Sequence, residues 1–97
     1  MITFDPPTIR NPVVPLGEVF LSLQVMKNLT DHDLGQALQS HQAGDWGVAD
    51  PQVHLLNLQS LHEHADVVSR YRAINGRHFW VQTDFQKNET KVYLALD

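Results

Sequence analysis

Cysteine is absent from the 97 residues of this chain, which excludes a disulfide framework, a thiolate nucleophile and a zinc site built from thiolates. Small secreted domains often depend on disulfides, so their absence favours a reducing, cytoplasmic location. No apolar run approaches the roughly 20 residues that span a bilayer. The first fifteen residues hold four prolines and one arginine but no apolar stretch typical of a signal peptide. We therefore expect a small soluble cytoplasmic protein.

Positive charge is scarce, since seven Lys and Arg residues face eleven Asp and Glu residues and the net charge is −4. This balance argues against direct nucleic-acid binding through phosphate contacts, and it is too dilute for a mimic of DNA. The charge is also uneven, at −6 over residues 1–66 and +2 over residues 67–97. The C-terminal part is therefore a candidate basic patch for an acidic protein partner, although solvated surfaces can differ in this way without any function.

Recognisable catalytic motifs are missing as well. The chain has no Gly-x-Ser-x-Gly elbow, no glycine-rich phosphate loop and no kinase-like set, and its five glycines occur singly. We predict no cofactor and no enzymatic activity.

Six histidines raise the possibility of a metal site, but none has the His-x-x-x-His spacing of a helical zinc pair. His62 and His64 are two residues apart, so on a helix they point to different sides. His41 and Asp45 flank a short loop and could meet across a helix end. A small metal- or ligand-binding domain that uses His41 and Asp45, or His62 and His64, is therefore kept as an alternative.

The predicted fold is α+β in the order β-α-α-α-β-β-β, with the helices on one face of the sheet. A proline-rich arm over residues 1–15 is expected to be extended, and residues 16–97 form the domain. Thr30 with Asp33 predicts one helix start, and Asp50 followed by Pro51 predicts another. The predicted elements are a strand over 17–22, helices over 23–29, 31–42 and 51–63, and strands over 66–74, 77–84 and 90–96. The third helix has a broad apolar face that includes Leu55, Leu58 and Leu61, with Val53 or Leu56.

Asn75-Gly76 between two β-rich runs predicts a two-residue type I′ hairpin turn. That turn pairs residue 74 with residue 77 and so decides which side chains share a face. One predicted face holds Val68, Arg70, Arg72, Ile74, Arg77, Phe79 and Val81. Three arginines around apolar side chains are typical of a protein interface, but arginine stems also cover the rims of cores. Arg70, Arg72 and Arg77 are therefore candidate partner-binding residues.

Residues 41–47, His-Gln-Ala-Gly-Asp-Trp-Gly, form the least generic stretch of the chain. Two glycines around Asp45-Trp46 predict a defined backbone with an unusual φ. In a structural interpretation, Trp46 folds back over the helices and Asp45 caps free amides. In a functional interpretation, the loop presents Asp45 and Trp46 to a partner.

The order of these features resembles a family of short proteins carried by plasmids and integrative elements. The resemblance covers roughly residues 16–97, and Gly-Asp-Trp-Gly is its specific part. It is carried by Leu-Gly-Glu-Val at 16–19, the 41–47 stretch, Asn57, Ser69-Arg-Tyr71, and Gly76 followed by Trp80-Val81. Near the end, residues 84–90 differ from the Glu-x-Asp-Arg-Ser-x-Thr run of that family.

Members of that family are often labelled as modification subunits of type I restriction systems. A methyltransferase subunit needs a glycine-rich cofactor loop and an Asn-Pro-Pro-aromatic motif, whereas the one Asn-Pro here is Asn11-Pro12, followed by valine. The resemblance instead implies an accessory protein of a mobile element. The leading hypothesis is a protein-binding module that inhibits a host defence complex, of the anti-restriction or anti-CRISPR type. A homodimer that pairs an exposed sheet edge is a further alternative.

Overall fold

A computed structural model describes residues 2–96, so Met1 and Asp97, the outer ends of the predicted arm and domain, lie outside the described residues. Five strands form one sheet in the order β1-β2-β5-β4-β3. The elements are β1 (Ile2–Phe4), β2 (Glu18–Leu21), α1 (Leu23–Asn28), α2 (Asp31–Gln42), α3 (Pro51–Glu63), β3 (Val67–Arg72), β4 (His78–Asp84) and β5 (Glu89–Leu94).

The α+β class is confirmed, but the sheet is larger than predicted. The meander β3-β4-β5 is present, and β2 joins it by pairing in parallel with β5. The difference lies in the arm, where β1 pairs antiparallel with β2 and becomes the outer strand. The result is a five-stranded mixed sheet instead of a three-stranded meander with one added strand.

The helix starts are fixed by local capping. The Thr30 side chain accepts a hydrogen bond from the backbone of Asp33, and Asp33 bonds back to the backbone of Thr30, which completes the capping box. Asp33 also accepts a hydrogen bond from the backbone N–H of Ile74 at 3.0 Å, so the start of α2 is tied to the β3–β4 loop. Burial raises the pKa of Asp33, but the hydrogen bonds from Thr30 and Ile74 outweigh this and hold the pKa below its usual value.

The predicted register of the β3–β4 hairpin is wrong by one residue. Ala73, not Ile74, pairs with Arg77, because the Ala73 N–H donates to the Arg77 carbonyl (2.8 Å) and the Gly76 N–H donates to the Ala73 carbonyl (2.9 Å). The loop therefore has three residues, and Gly76 alone among them has a positive φ, +88°. The shift by one residue changes which side chains of β3 share a face with those of β4. It places Phe79 and Val81 beside Tyr71 and Ser69 on the buried side and leaves Arg70 and Arg72 on the other side.

The main core lies between one face of the sheet and the helices α1 and α2. It is an apolar cluster of strand and helix side chains that includes Val19, Leu21, Val25, Leu34, Leu38, Phe79, Val81 and Val92. A second cluster forms where the arm, the α2–α3 loop and β3 meet, around Val14, Trp46, Ala49 and Val67. Val14 is fully buried there, so the end of the proline-rich arm packs into the domain.

The helix α3 lies along the free edge of β3. The Asn57 amide donates to the Val68 carbonyl at 2.6 Å, and its oxygen accepts from the Val68 N–H at 2.9 Å. Two residues further along β3, the Arg70 N–H donates to the Trp46 carbonyl, and the Val48 N–H donates to the Arg70 carbonyl. These four bonds occupy the outward backbone groups of β3 at positions 68 and 70, so this edge is not available there for pairing with another strand. Within residues 2–96, no helix is long and apolar enough to cross a membrane.

Asn57→Ala is expected to lower the free energy of unfolding by about 2 kcal/mol, because it removes both partners of the Val68 backbone. Denaturant unfolding followed by circular dichroism measures the change. Gln59→Ala, an exposed change on the same helix, is the matched control and should stay within about 0.5 kcal/mol of the wild type. Equal effects of the two variants would contradict this role of Asn57.

Candidate functional site

The stretch at residues 41–47 joins three parts of the fold. Its first member, His41, lies in the last turn of α2 and is fully buried. The Gln42 side chain donates to the Pro7 carbonyl at 2.7 Å, and the Gln42 carbonyl accepts from the N–H groups of Val13 and Val14. Gln42 therefore holds the arm against the end of α2.

A chain of hydrogen bonds runs from His41 through the core. One ring nitrogen, Nδ1, bonds the Ser69 hydroxyl, and the other, Nε2, lies 2.9 Å from the Thr83 hydroxyl. Thr83 bonds Thr90 at 2.7 Å, and Thr90 donates to the Leu16 carbonyl at 2.7 Å. Each of these side chains is at most 1% exposed. The chain links α2, three strands and the segment before β2.

The carbonyl at the end of this chain determines where the protons are. A carbonyl only accepts, so the Thr90 hydroxyl uses its one proton on Leu16 and must accept from Thr83. Thr83 then accepts from Nε2 of His41, which therefore carries the ring proton, and Nδ1 accepts from Ser69. The arrangement requires a neutral imidazole. Burial supports the same state, because it lowers the pKa of His41 to about 3.

Ser69 beside His41 has the composition of a nucleophile and its base, but the pair is sealed inside the protein. Both residues are 0% exposed, so no substrate reaches the serine oxygen. The Asp45 carboxylate does not contact His41. Its Oδ1 accepts the Gly47 N–H at 3.0 Å on the surface. The predicted pairing of His41 with Asp45 is therefore absent from this structure.

Trp46 is 5% exposed and fills the second cluster with Val14 and Val67. Its ring meets that of His41 edge-on, with centroids 5.8 Å apart. Of the two candidate contact residues of the loop, Asp45 is exposed and Trp46 is buried.

Gly47 allows the loop to approach β3 closely. It has φ of +70° and bridges to Arg70, and a Cβ atom there would lie 2.1 Å from the Arg70 carbonyl oxygen. The Tyr71 hydroxyl donates to the Asp45 carbonyl, which holds the same loop from the other side. Burial raises the pKa of Tyr71, so it stays protonated as a donor.

The histidines at the end of α3 do not converge with a third ligand. His62 is in the last turn and His64 is the left-handed cap that follows it, and both are exposed. His64 meets Phe85 edge-on. In the part of the chain that the structure describes, no three His, Asp or Glu side chains are grouped to hold a metal ion.

The apolar face predicted for α3 is turned differently from the expectation. Asn57 takes the fully enclosed position, Val53 and Leu61 pack against the second cluster, and three leucines point outward. Leu55, Leu56 and Leu58 are 69%, 61% and 60% exposed. We call these three residues the α3 ridge. The helix from Pro51 to His62 carries no charged side chain, which is unusual for a surface helix.

The sheet face opposite the main core is here called the open face, and α3 packs against it along the β3 edge. Arg70 lies over the Trp80 ring at 5.0 Å, and its Nε donates to Nδ1 of His78 at 2.9 Å. Arg72 is exposed on the same strand and Arg77 is exposed in the hairpin. Arg70 and Arg72 therefore lie on the open face with Trp80 instead of Phe79, whereas Arg77, opposite Ala73, keeps the register of the Phe79 face.

Two grooves adjoin these surfaces. One, of about 440 Å³, lies between α3 and the open face and is lined by Val53, Leu56, Val68, Trp80 and Tyr93, with Asp66 and other polar residues. The other, of about 570 Å³, lies between α2 and the β3–β4 loop. The polar groups Asp33 and Tyr71 in that second groove are already used in the internal hydrogen bonds described above.

No family model, curated protein or solved structure matches this chain. Sequence reasoning missed the α3 ridge, because three leucines at helical spacing indicate a core face. Asn57 is the residue that could have indicated the ridge. A polar amide in the middle of that face suits a contact with the backbone of a strand edge better than a contact with an apolar core.

Acid is expected to destabilise the protein from about pH 6.5 downward. The unfolded chain binds a proton at the ordinary histidine pKa, whereas folded His41 does not until about pH 3, so stability is lost as the pH falls. The loss is about 1.4 kcal/mol per pH unit, or about 2 kcal/mol between pH 6.5 and 5. Denaturant unfolding at several pH values measures it, and nitrogen NMR shifts should show a neutral His41 with its proton on Nε2. A free energy of unfolding that stays constant between pH 7 and 5 would contradict this assignment.

Gly47→Ala is expected to lower the free energy of unfolding by about 3 kcal/mol or more, because the new methyl group collides with backbone at a positive φ. Gly35→Ala is the matched control. Nothing lies within 4 Å of a Cβ at that helical site, so this variant should gain up to about 1 kcal/mol. Thermal unfolding of both variants tests the pair, and a well-tolerated Gly47→Ala would disprove the close approach.

Proposed function

We propose that this protein is a non-enzymatic protein-binding module that docks a partner through the α3 ridge. The observation that carries the proposal is the exposure of Leu55, Leu56 and Leu58 on a helix without charged residues up to His62. Exposed apolar surface of this kind is typical of interaction sites in soluble proteins. The partner surface should be apolar and weakly charged, such as a helix groove, because the ridge offers no charge to attract it.

The position of α3 supports this use of the ridge. The helix is held from behind by Asn57 on Val68 and by Val53 and Leu61 on the second cluster, so the leucines are not needed to keep it in place. A rigid helix loses little conformational entropy when a partner binds. The buried Ser69–His41 pair supports a binding function over catalysis, because the one nucleophile–base arrangement described above is closed to substrate.

At the level of the biological process, we propose an accessory protein of a mobile element that inhibits a host defence complex. The resemblance carried by residues 41–47, and by the flanking features, supports this assignment. Asp45 at the rim of the loop, Arg70 and Arg72 on the open face, and Arg77 in the hairpin are secondary candidate contacts for such a partner. Transfer of a plasmid into restriction-proficient and CRISPR-proficient hosts that express the protein tests the process.

The double variant Leu55→Glu, Leu58→Glu is expected to abolish partner capture. Two carboxylates on the ridge would have to be buried against an apolar surface. The measurement is a tagged pull-down from host lysate, read by mass spectrometry for a stoichiometric partner. Because both leucines are already exposed, the free energy of unfolding should change by less than about 1 kcal/mol.

The control is Gln52→Glu, which adds one carboxylate to an exposed position of α3 outside the ridge and should retain the partner. Capture that survives the ridge variant, or that the control also removes, would refute docking through the ridge. Loss of plasmid protection in the ridge variant, with protection retained in the control, would link binding to the process.

A further inference from the structure

The open face carries opposite charges at its two ends. Four carboxylates lie at the end where β3 and β5 begin and β4 finishes, and together they form the acidic row: Glu18, Asp66, Asp84 and Glu89. The basic end, at the other end of the same strands, holds Arg70, Arg72 and His78. Asp84 and His78 are six positions apart along β4, a separation of roughly 20 Å.

The acidic row is crowded with like charges. Glu18 is the cross-strand partner of Glu89, and Glu89 is the cross-strand partner of Asp84. Directly opposite like charges destabilise a sheet. Lys91 approaches Glu89 at 3.7 Å, and Asp66 and Asp84 accept hydrogen bonds from neighbouring amides, but these contacts do not bring a guanidinium to the row. Within residues 2–96, no carboxylate lies within 4 Å of Arg72 or Arg77.

Between the two ends lies a band of aromatic and apolar side chains. Trp80 pairs across the strands with Tyr93, and Gln82 pairs with Val68 and with Lys91. Tyr93 donates to the Gln82 side chain at 3.0 Å, so the band is held in a fixed arrangement. Trp, Tyr and Arg together are the residue types that contribute most to protein interfaces.

This pattern is self-complementary under one twofold rotation. Consider two copies whose open faces meet, with the twofold axis lying between the faces and perpendicular to the strands. Each strand then lies over the same strand of the other copy and runs in the opposite direction. Asp66 of one copy then faces Arg72 of the other, because the two are placed symmetrically about Ser69 on β3, and Asp84 faces His78 in the same way on β4. A rotation about an axis along the strands would put acid over acid, so the charges select one orientation.

We propose that the open face binds a second copy of this chain, in a face-to-face dimer that sets each acidic row against the other copy's basic end. The inference does not depend on the α3 ridge, of which Leu56 alone lines the groove beside the open face. It also differs from pairing at a sheet edge, because the β3 edge is occupied by Asn57 and the loop at 46–48. Since β3 lies over β3, the two α3 helices lie along the same side of the dimer.

The test is sedimentation velocity on the full-length protein from about 1 µM to about 0.1 mM. The wild type is expected to form a dimer that high salt dissociates, because salt screens the paired charges. Arg72→Glu and Asp66→Lys should each weaken the dimer at least about tenfold, since a twofold interface contains each substitution twice. The double variant, Arg72→Glu with Asp66→Lys, should restore it, because both pairs regain opposite charges.

Lys27→Glu is the matched control, since it reverses an exposed charge on α1, away from the open face, and should leave the dimer unchanged. A monomer at every concentration would overturn the proposal, as would a dimer that ignores the single reversals or a double variant that fails to recover. If the chain is monomeric and the Arg72→Glu variant no longer captures a different protein that the wild type captures, the open face would be reassigned to that protein. The ridge variant Leu55→Glu, Leu58→Glu should still dimerise, so failure of this inference and failure of the proposed function are distinguishable.

Discussion

The buried hydrogen bonds from Ser69 through His41, Thr83 and Thr90 to the Leu16 carbonyl constrain the positions of most elements of this fold. Each donor in that chain has one acceptor, so no member can turn away without leaving a buried polar atom unpaired, which is costly in an apolar interior. The chain requires Ser69 and Thr83 to lie on the same face of the sheet. The register with Ala73 opposite Arg77 meets that requirement, and the register shifted by one residue does not.

The 41–47 stretch illustrates how residue types suited to chemistry serve packing instead. A histidine, an aspartate and a tryptophan within six residues have the composition of a catalytic or binding loop. In the fold, His41 is a neutral hydrogen-bond bridge, Trp46 is a wedge between the arm and β3, and the Asp45 carboxylate bonds the N–H of Gly47. The surfaces left for interaction are the α3 ridge and the open face, which no single short motif marks.

Much of the secondary structure follows from local sequence, and the rest depends on distant contacts. Thr30 and Asp50-Pro51 mark the starts of α2 and α3 correctly because a cap bonds residues within one turn of itself. The strand Ile2–Phe4 was missed because three residues beside prolines become a strand only when β2 is available to pair with them. The hairpin register was predicted wrongly because two-residue and three-residue loops both fit Asn75-Gly76. Burial of Phe79 and Val81 decides between the two loops. For the candidate sites, Arg70 and Arg72 share a face as expected, but the register separates Arg77 from them, and the exposure of Leu55 and Leu58 was not predicted.

The parallel pairing of β2 with β5 joins Glu18 to Glu89, so two adjacent strands of the sheet come from opposite ends of the chain. During synthesis, the β3–β4 hairpin and the helices can form early because their contacts are local, whereas β2 lacks its neighbour on the β5 side until β5 has left the ribosome. Thr90 arrives with that strand and completes the hydrogen bond to Leu16. The nascent protein therefore exposes the inner edge of β2 and part of the apolar side of α1 until β5 has been synthesised, and β5 completes the core.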